Sequence, residues 1–298
     1  MMNIIITGSK GFVGQNLISY LGQINLTNLS VRYQQEQQIS LQSTGFIIHL
    51  SGKAHDLKKV SQPQDYYDAN FELTKQLYDA FLKSEAKKFI FISSVKAVAD
   101  SVNGILTEDT VPNPLSHYGK SKLMAEEYIQ AQNLPEGKSY YILRPCMIHG
   151  PGNKGNLNLL YQFVKKGIPY PLTAFENQRS FLSIENLCFV IKELLENEIP
   201  SGVYQVADDE SLSTNALVQE IALTLGLKPK LLNVPARFVR SIATLGDKLK
   251  LPLNTERLNK LTENYIVSNK KIKTTLGKEL PIKAREGLRK TILSFKLN

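Results

Sequence analysis

Tyr118 and Lys122 stand four residues apart in Tyr118-Gly-Lys-Ser-Lys122, a spacing that puts phenol and ammonium on one face of a helix. A phenol near its reference pKa of about 10 is a poor base at neutral pH. A neighbouring cation favours the phenolate and lowers that value towards the working range. Tyr-x-x-x-Lys by itself also describes an ordinary surface pair. Ser93-Ser94 changes the reading, because it follows the apolar run Phe89-Ile90-Phe91-Ile92 and lies 24 residues upstream of Tyr118. A hydroxyl there can hold the oxygen that Tyr118 protonates or deprotonates. Ser94, Tyr118 and Lys122 therefore form a candidate proton-transfer set.

A second constellation opens the chain. Thr7-Gly8-Ser9-Lys10-Gly11-Phe12-Val13-Gly14 spaces its glycines G-x-x-G-x-x-G, between the apolar run Ile4-Ile5-Ile6 and a helical pattern. Gly8 suits a tight turn, Gly11 lets the backbone approach a pyrophosphate, and Gly14 lets the helix pack closely. The free N–H groups and dipole of that helix start attract the phosphates. This predicts dinucleotide binding. A bound nicotinamide's positive ring would favour the Tyr118 phenolate further. An acid after the second strand would hold a ribose 2′-hydroxyl. Here the reading is Ser30-Val31-Arg32-Tyr33 with no acid before Glu36, so Arg32 tilts the cofactor, NAD or NADP, slightly towards NADP. Only the 13 residues Tyr33 to Gly45 lead to the next strand, too few for a helix and a further strand, so the adenine pocket is simplified.

The elements that must position these groups alternate. Short apolar strands are expected at Asn3–Thr7, Leu29–Arg32, Phe46–Leu50, Phe89–Ile92 and Ser139–Leu143, with helices at Gly11–Leu21, Asp68–Lys83 and about His117–Gln132. Uninterrupted apolar strands between amphipathic helices indicate an α/β fold, a Rossmann-type doubly wound parallel sheet covered on both faces. Residues 1–150 form that domain. The alternation breaks after Gly150, a strand at Val203–Val206 suggests a return to the sheet over about 180–206, and 151–298 contributes a smaller, mostly helical lobe.

The chain has 298 residues and a net charge of +9, and is 42% apolar and 21% charged, which excludes a disordered chain. From Gly246 onward thirteen basic residues face five acidic ones. They are spread through an apolar pattern and read as a solvated face, with no nucleic-acid motif. Cys146 and Cys188 read as buried reduced thiols, and no His/Glu pair has metal-ligand spacing. His49 and His117 read as a core histidine and a helix-start residue, and His55 carries no role. No apolar run is long enough to span a membrane, and the N-terminus lacks a signal peptide, so the expected compartment is the cytoplasm.

With Gly8-x-x-Gly11-Phe12-Val13-Gly14, His49-Leu50-Ser51-Gly52, Asn70, Ser93-Ser94 and Tyr118-x-x-x-Lys122, the chain resembles the extended short-chain dehydrogenase/reductases. Arg144-Pro145 followed by His149-Gly150-Pro151-Gly152 is similar to a motif of their nucleotide-sugar 4-epimerases and 4-ketoreductases, with His149 in place of the usual Tyr. Gly155-Asn156, Gln178-Arg179-Ser180-Phe181, Gly202 to Val206 and Val267 to Ile272 extend the likeness through almost the whole chain. The resemblance implies Tyr118 as acid/base, Lys122 as its activator and a ribose ligand, and Ser94, in preference to Ser93, on the substrate oxygen. It implies Leu50, Ser51 and Gly52 along the cofactor, Asn70 holding the cofactor or orienting that loop, and Pro145 and Cys146 near the nicotinamide. Asn156 and Arg179 would hold a nucleotide-sugar diphosphate, for which an Arg fork is suited. The alternative for Arg179 is an ion pair with Glu176 or Glu185. Lys96 faces either substrate or solvent.

The expected function is epimerisation or ketoreduction at C4 of a UDP-sugar, for polysaccharide synthesis. The substrate is then a small molecule, and a homodimer is left open. Reduction of a non-sugar carbonyl would give Asn156 and Arg179 no anion to hold. A non-enzymatic NAD(P)-binding regulator would have no use for Ser94, Tyr118 and Lys122.

Overall fold

Ile4-Ile5-Ile6 sets the pattern of the sheet, since all three side chains are buried and successive ones enter different cores. The structure, a computed structural model, describes residues 3–22, 25–35, 39–41, 44–54, 62–153, 155–249 and 254–296. The first half runs β1 (Asn3–Thr7), α1 (Phe12–Leu21), β2 (Asn25–Leu29), β3 (Phe46–His49), α2 (Pro63–Tyr67), a π-helical turn (Asp68–Glu72), α3 (Leu73–Lys83), β4 (Lys88–Ile92), β5 (Ile105–Leu106), α4 (His117–Ala131) and β6 (Ser139–Pro145). The second runs β7 (Met147–His149), α5 (Asn156–Lys165), β8 (Phe181–Ser183), α6 (Ile184–Glu196), β9 (Gly202–Val206), α7 (Thr214–Thr224), α8 (Ala236–Leu249), α9 (Thr255–Thr262), β10 (Ile266–Val267), α10 (Lys270–Leu276) and α11 (Ala284–Ser294).

Six parallel strands lie in the order β2-β1-β3-β4-β6-β9. Their side chains alternate between two cores, as a period of two requires. Ile4, Ile6, Ile48, Ile90, Tyr141 and Leu143 face the helices α1 and α6. Ile5, Ile47, Phe89, Phe91 and Ile142 face α3 and α4. A third cluster, joining α5, α7, α8, α9 and α11, makes a separate helical lobe, while α6 and β9 pack with the sheet. Among the described residues no helix is long and apolar enough to cross a membrane.

The chain leaves β1 towards β2 on one side and returns to β3 on the other, so the sheet's switch point lies between β1 and β3. Ligands of such sheets bind beyond the strands' carboxyl ends at that crevice. Two expectations shift. The second strand ends at Leu29, paired with Thr7, and does not run from Leu29 to Arg32. As an edge strand it pairs only with β1, whose ladder stops where the chain turns at Gly8. The helix expected from Asp68 begins at Pro63 and continues through the π turn. The Gly-, Asn- and Pro-rich stretch after Pro151 also contains α5, whose pattern its composition hides.

The close fit of α1 is testable. A Cβ on Gly14 would lie 2.5 Å from the carbonyl oxygen of Gly8 and 2.7 Å from Ser9 Cα. Alanine ordinarily improves a helix interior by about 1 kcal/mol over glycine. Here Gly14→Ala should instead destabilise by roughly 1–3 kcal/mol through overpacking, read by urea unfolding. A more stable variant would show that α1 can move off the loop.

Candidate active site at the switch point

Two loops cross at the switch point. Gly8 has φ +70°, and a Cβ there would sit 2.8 Å from Ser51 N and 2.9 Å from the Leu50 carbonyl carbon. Thr7 Oγ1 accepts a hydrogen bond from Ser51 N at 3.2 Å, so the loop after β3 is tied to the end of β1. Helix α1 starts at Gly11, which offers no side-chain cap, and its first turn holds no acid. Its leading N–H groups are therefore left for an external anion. Phe12 and Val13 turn back into the core, and the Phe12 ring borders Gly150. These features fit a dinucleotide pyrophosphate.

His49 sits behind the crossing and is fully buried. Thr74 gives its proton to Asn70 O at 2.7 Å, so His49 Nε2–H donates to Thr74 Oγ1 at 2.9 Å and Nδ1 accepts from Thr7 at 2.7 Å. Burial first, and Lys122 second, bring its pKa down to about 3. It is a neutral, satisfied core histidine.

Helix α4 brings the chemical groups up to this crossing. Ser116 caps it by accepting from Gly119 N at 3.2 Å. Gly119 lets the helix pass the preceding loop, since a Cβ there would meet Lys96 O at 2.3 Å. One face then presents Tyr118, Lys122 and Glu126. Lys122 is buried, and its ammonium donates to Ile92 O at 2.8 Å and lies 4.6 Å above the Phe91 ring. It also borders Gly52, where a Cβ would fall 3.1 Å from Lys122 Nζ. Burial pushes its pKa down to about 7, with Glu126 opposing.

Tyr118 is half-buried beside Ser94. Its pKa is raised, chiefly by burial; the Ser94 hydroxyl pulls it back in part and Glu126 pushes it up. The lowering expected from an adjacent ammonium is not seen: Lys122 is not among the groups that move the Tyr118 pKa, and burial of the phenol sets its direction. The phenol is held protonated, ready to give a proton.

Ser93 and Ser94 diverge. Ser93 Oγ turns inward and donates to Glu126 Oε1, whereas Ser94 faces Tyr118 and caps the following turn. Glu126 has no exposed surface, and Arg144 from β6 grips both its oxygens, with Nε at 3.1 and 3.0 Å. This Ser93–Glu126–Arg144 cluster was absent from the sequence reading. Its signal was present: Glu126 is one helical repeat beyond Lys122, and Arg144 is charged within an apolar strand.

Asn70, in the π turn, is fully buried. It accepts from Lys53 N at 2.8 Å and donates to Lys53 O and Ser121 Oγ, each at 3.0 Å. Its polar atoms thus clamp the loop after Gly52 to α4. Pro145 ends β6 and Cys146 follows it, with a buried thiol whose pKa is pushed well up by burial and then by Asp208. Arg32 is exposed, beyond the end of β2. His149 is buried away from the crossing, donating Nδ1–H to Thr291 at 2.9 Å, with Nε2 3.7 Å from Asp208.

Asn156 opens α5, and its side chain lies outside the described residues, as does His55. Arg179 exchanges backbone hydrogen bonds with Leu212 at 3.0 and 2.9 Å, beside Tyr265. Burial lowers its pKa, opposed first by Glu263 and then by Tyr265. Tyr265, which the sequence reading passed over, joins this segment to the loop after Ser94: Ser180 N donates to Tyr265 O at 2.9 Å, and the Tyr265 hydroxyl lies 3.3 Å from Val95 O and 2.7 Å from Ala99 O. Lys96 faces neither open solvent nor the crevice alone, since its ammonium lies 4.3 Å over the Tyr265 ring and donates to Asp100 O at 2.6 Å.

Residues 4–207 match the family described as the NAD dependent epimerase/dehydratase family. The chain belongs to that family. A UDP-glucose 4-epimerase of Vibrio cholerae is 30% identical, over 98% of this chain and 95% of that protein. An N-acetyl-alpha-D-glucosaminyl-diphospho-ditrans,octacis-undecaprenol 4-epimerase of Escherichia coli O157:H7 is also 30% identical, over 78% and 75%. Among solved structures, a UDP-glucuronic acid 4-epimerase from Bacillus cereus in complex with NAD superposes with a TM-score of 0.76 at 18% identity, covering 99% of both chains. The Rossmann-type fold expected for this epimerase/dehydratase family is thereby the fold observed.

Lys122 gives the site a pH signature. Its value of about 7 in the folded protein lies below the roughly 10.4 of an exposed lysine. Between these values the unfolded chain binds the extra proton, so stability rises with pH across that window, by at most about 1.4 kcal/mol per unit. Lys122→Met should flatten the slope of unfolding free energy between about pH 7 and 9.5. An unchanged slope would mean that Lys122 keeps its ordinary pKa in the fold.

Proposed function

We propose that the protein is a cytoplasmic NAD(P)-dependent enzyme acting at C4 of a UDP-sugar, as a 4-epimerase or a 4-ketoreductase serving polysaccharide synthesis. The observation that carries this reading is the placing of Ser94 and Tyr118 side by side, with buried Lys122 on the same face of α4, beside the glycine crossing. When bound, a nicotinamide dinucleotide supplies the hydride acceptor or donor. Gly8, Gly11 and Gly14 would receive its pyrophosphate at the start of α1, and Leu50, Ser51 and Gly52 would line its path, in a loop oriented by Asn70. Lys122 would hold its ribose, and Pro145 and Cys146 would flank the nicotinamide. Arg32, exposed past β2, favours a 2′-phosphate slightly.

Tyr118 then holds the proton exchanged with the sugar's C4 oxygen, and Ser94 orients that oxygen. A protonated phenol is in the form that reduction of a 4-keto sugar requires; oxidation of a 4-hydroxyl requires the phenolate. Arg179 and Asn156 would take the diphosphate, which the α1 N-terminus cannot also serve. Both relatives named above are 4-epimerases by name, and each of those substrates contains a sugar on a diphosphate.

Tyr118→Phe should fold and bind dinucleotide but lose at least about 10²-fold in turnover, the usual scale of acid–base catalysis. Full activity would remove Tyr118 from the mechanism. Arg179→Lys should raise Kd for free UDP nearly as much as for the UDP-sugar, because lysine offers phosphate a point charge and no paired donors. Unchanged UDP binding with reduced turnover would detach Arg179 from the diphosphate. Native mass spectrometry separates the two chemistries, since retained NAD indicates an epimerase and an empty site that takes up NADPH a reductase.

A further inference from the structure

Helix α8 carries an apolar strip that the fold leaves bare. Phe238, Ile242, Leu245 and Leu249 are 63, 50, 52 and 60% exposed, and at 3.6 residues per turn they fall within an arc of about 60°. A neighbouring arc holds Val239, Ala243 and Gly246, all buried. Val239 and Ala243 join the core of the helical lobe, and α8 rests against α9. The helix is thus fixed by one part of its apolar face and shows the other part to solvent. Scattered exposed leucines need no explanation; an aligned strip of four on one helix does.

Charge narrows what can cover it. Arg237, Arg240 and Lys248 occupy the polar side of the same helix, and Lys228 and Lys230 lie in the segment leading into it. No Asp or Glu occurs from Ile221 to Gly246. The acid that follows, Asp247, is engaged by Thr255, whose N–H and hydroxyl donate to it at 3.0 and 2.5 Å. Lys228, Lys230, Arg237 and Arg240 have no carboxylate partner among the described residues. Lys228 and Lys230 also border a cavity of about 230 Å³ with Lys165 and Lys166. A second copy of this chain would bring the same positive groups against each other. A surface of anionic lipid headgroups over acyl chains matches both the cations and the strip.

We propose that α8 is a peripheral membrane-docking helix, whose strip Phe238, Ile242, Leu245 and Leu249 enters the interface of an anionic bilayer while Arg237 and Lys248, on the flank of that strip, meet the headgroups. The helix lies on the lobe that carries Arg179, for Arg240 stacks 5.7 Å from the Phe175 ring, a few residues before it. Docking leaves the reaction untouched, so its test is independent of the function proposed above.

The test is co-sedimentation of the full chain with vesicles of phosphatidylcholine, with and without phosphatidylglycerol. The wild type should sediment with the anionic vesicles only. Ile242→Gln combined with Leu245→Gln should weaken that binding at least about tenfold, with an unchanged thermal midpoint. Arg237→Gln with Lys248→Gln should weaken it as well. Leu293→Gln, at an exposed position on α11, should bind like wild type. Failure of the wild type to bind, or undiminished binding by the Ile242/Leu245 variant, would overturn the proposal. So would equal loss in Leu293→Gln, or a wild-type dimer in sedimentation that the Ile242/Leu245 variant converts to monomer.

Discussion

The carboxylate of Glu126, sealed between α4 and the sheet, fixes where everything else in the site can stand. Arg144 from β6 and Ser93 from the end of β4 hold it, so α4 is pinned at one height along two strands. Removing one partner of such a buried pair costs about 3–5 kcal/mol, although replacing both with apolar groups is often neutral. The pair therefore contributes position more than stability. With Glu126 pinned, Lys122 one turn earlier reaches the Ile92 carbonyl, and Tyr118 one turn before that reaches Ser94. The same helix meets the opposite loop through Ser121 and Asn70, so Tyr118, Lys122 and the glycine crossing are tied into one assembly.

That assembly also sets the protonation states. The site is closed enough to drive His49 to about 3 and Lys122 to about 7, and to raise the Tyr118 phenol. Desolvation is the first cause in each case, and charge partners act second. A bound nicotinamide would add a positive charge where the fold itself supplies little. Tyr265 performs a different service, carrying the Arg179 segment of the far lobe to the carbonyls just after Ser94.

Much of this was legible in the sequence where the physics is local. Ile4-Ile5-Ile6 and Phe89-Ile90-Phe91-Ile92 announce strands buried on both faces, and the spacing of Tyr118, Lys122 and the three glycines is fixed by helix and turn geometry. What escaped depends on partners distant in the chain. The end of β2 is dictated by the length of β1, not by its own residues. Asn70 acquires its role only because a π turn aims it between Lys53 and Ser121. Arg144 reads as a motif residue and Glu126 is not singled out, and only the fold brings them together. The raised Tyr118 pKa reverses an expectation drawn from spacing alone, since spacing gives proximity to an ammonium but not the burial of both groups.

The fate of the hydrogen at C4 tests the site most directly. UDP-hexoses and their 2-acetamido forms, deuterated at C4, would be incubated with the protein and NAD or NADP, and both the sugar product and the released dinucleotide weighed by mass spectrometry. The expected result is that the C4 deuterium is conserved, back at C4 of an epimerised sugar or on the dinucleotide after net oxidation, with turnover at least about 10²-fold slower in Tyr118→Phe. Turnover of a deuterated sugar by the wild type, with its C4 deuterium lost to water, would contradict hydride chemistry at C4 in this site.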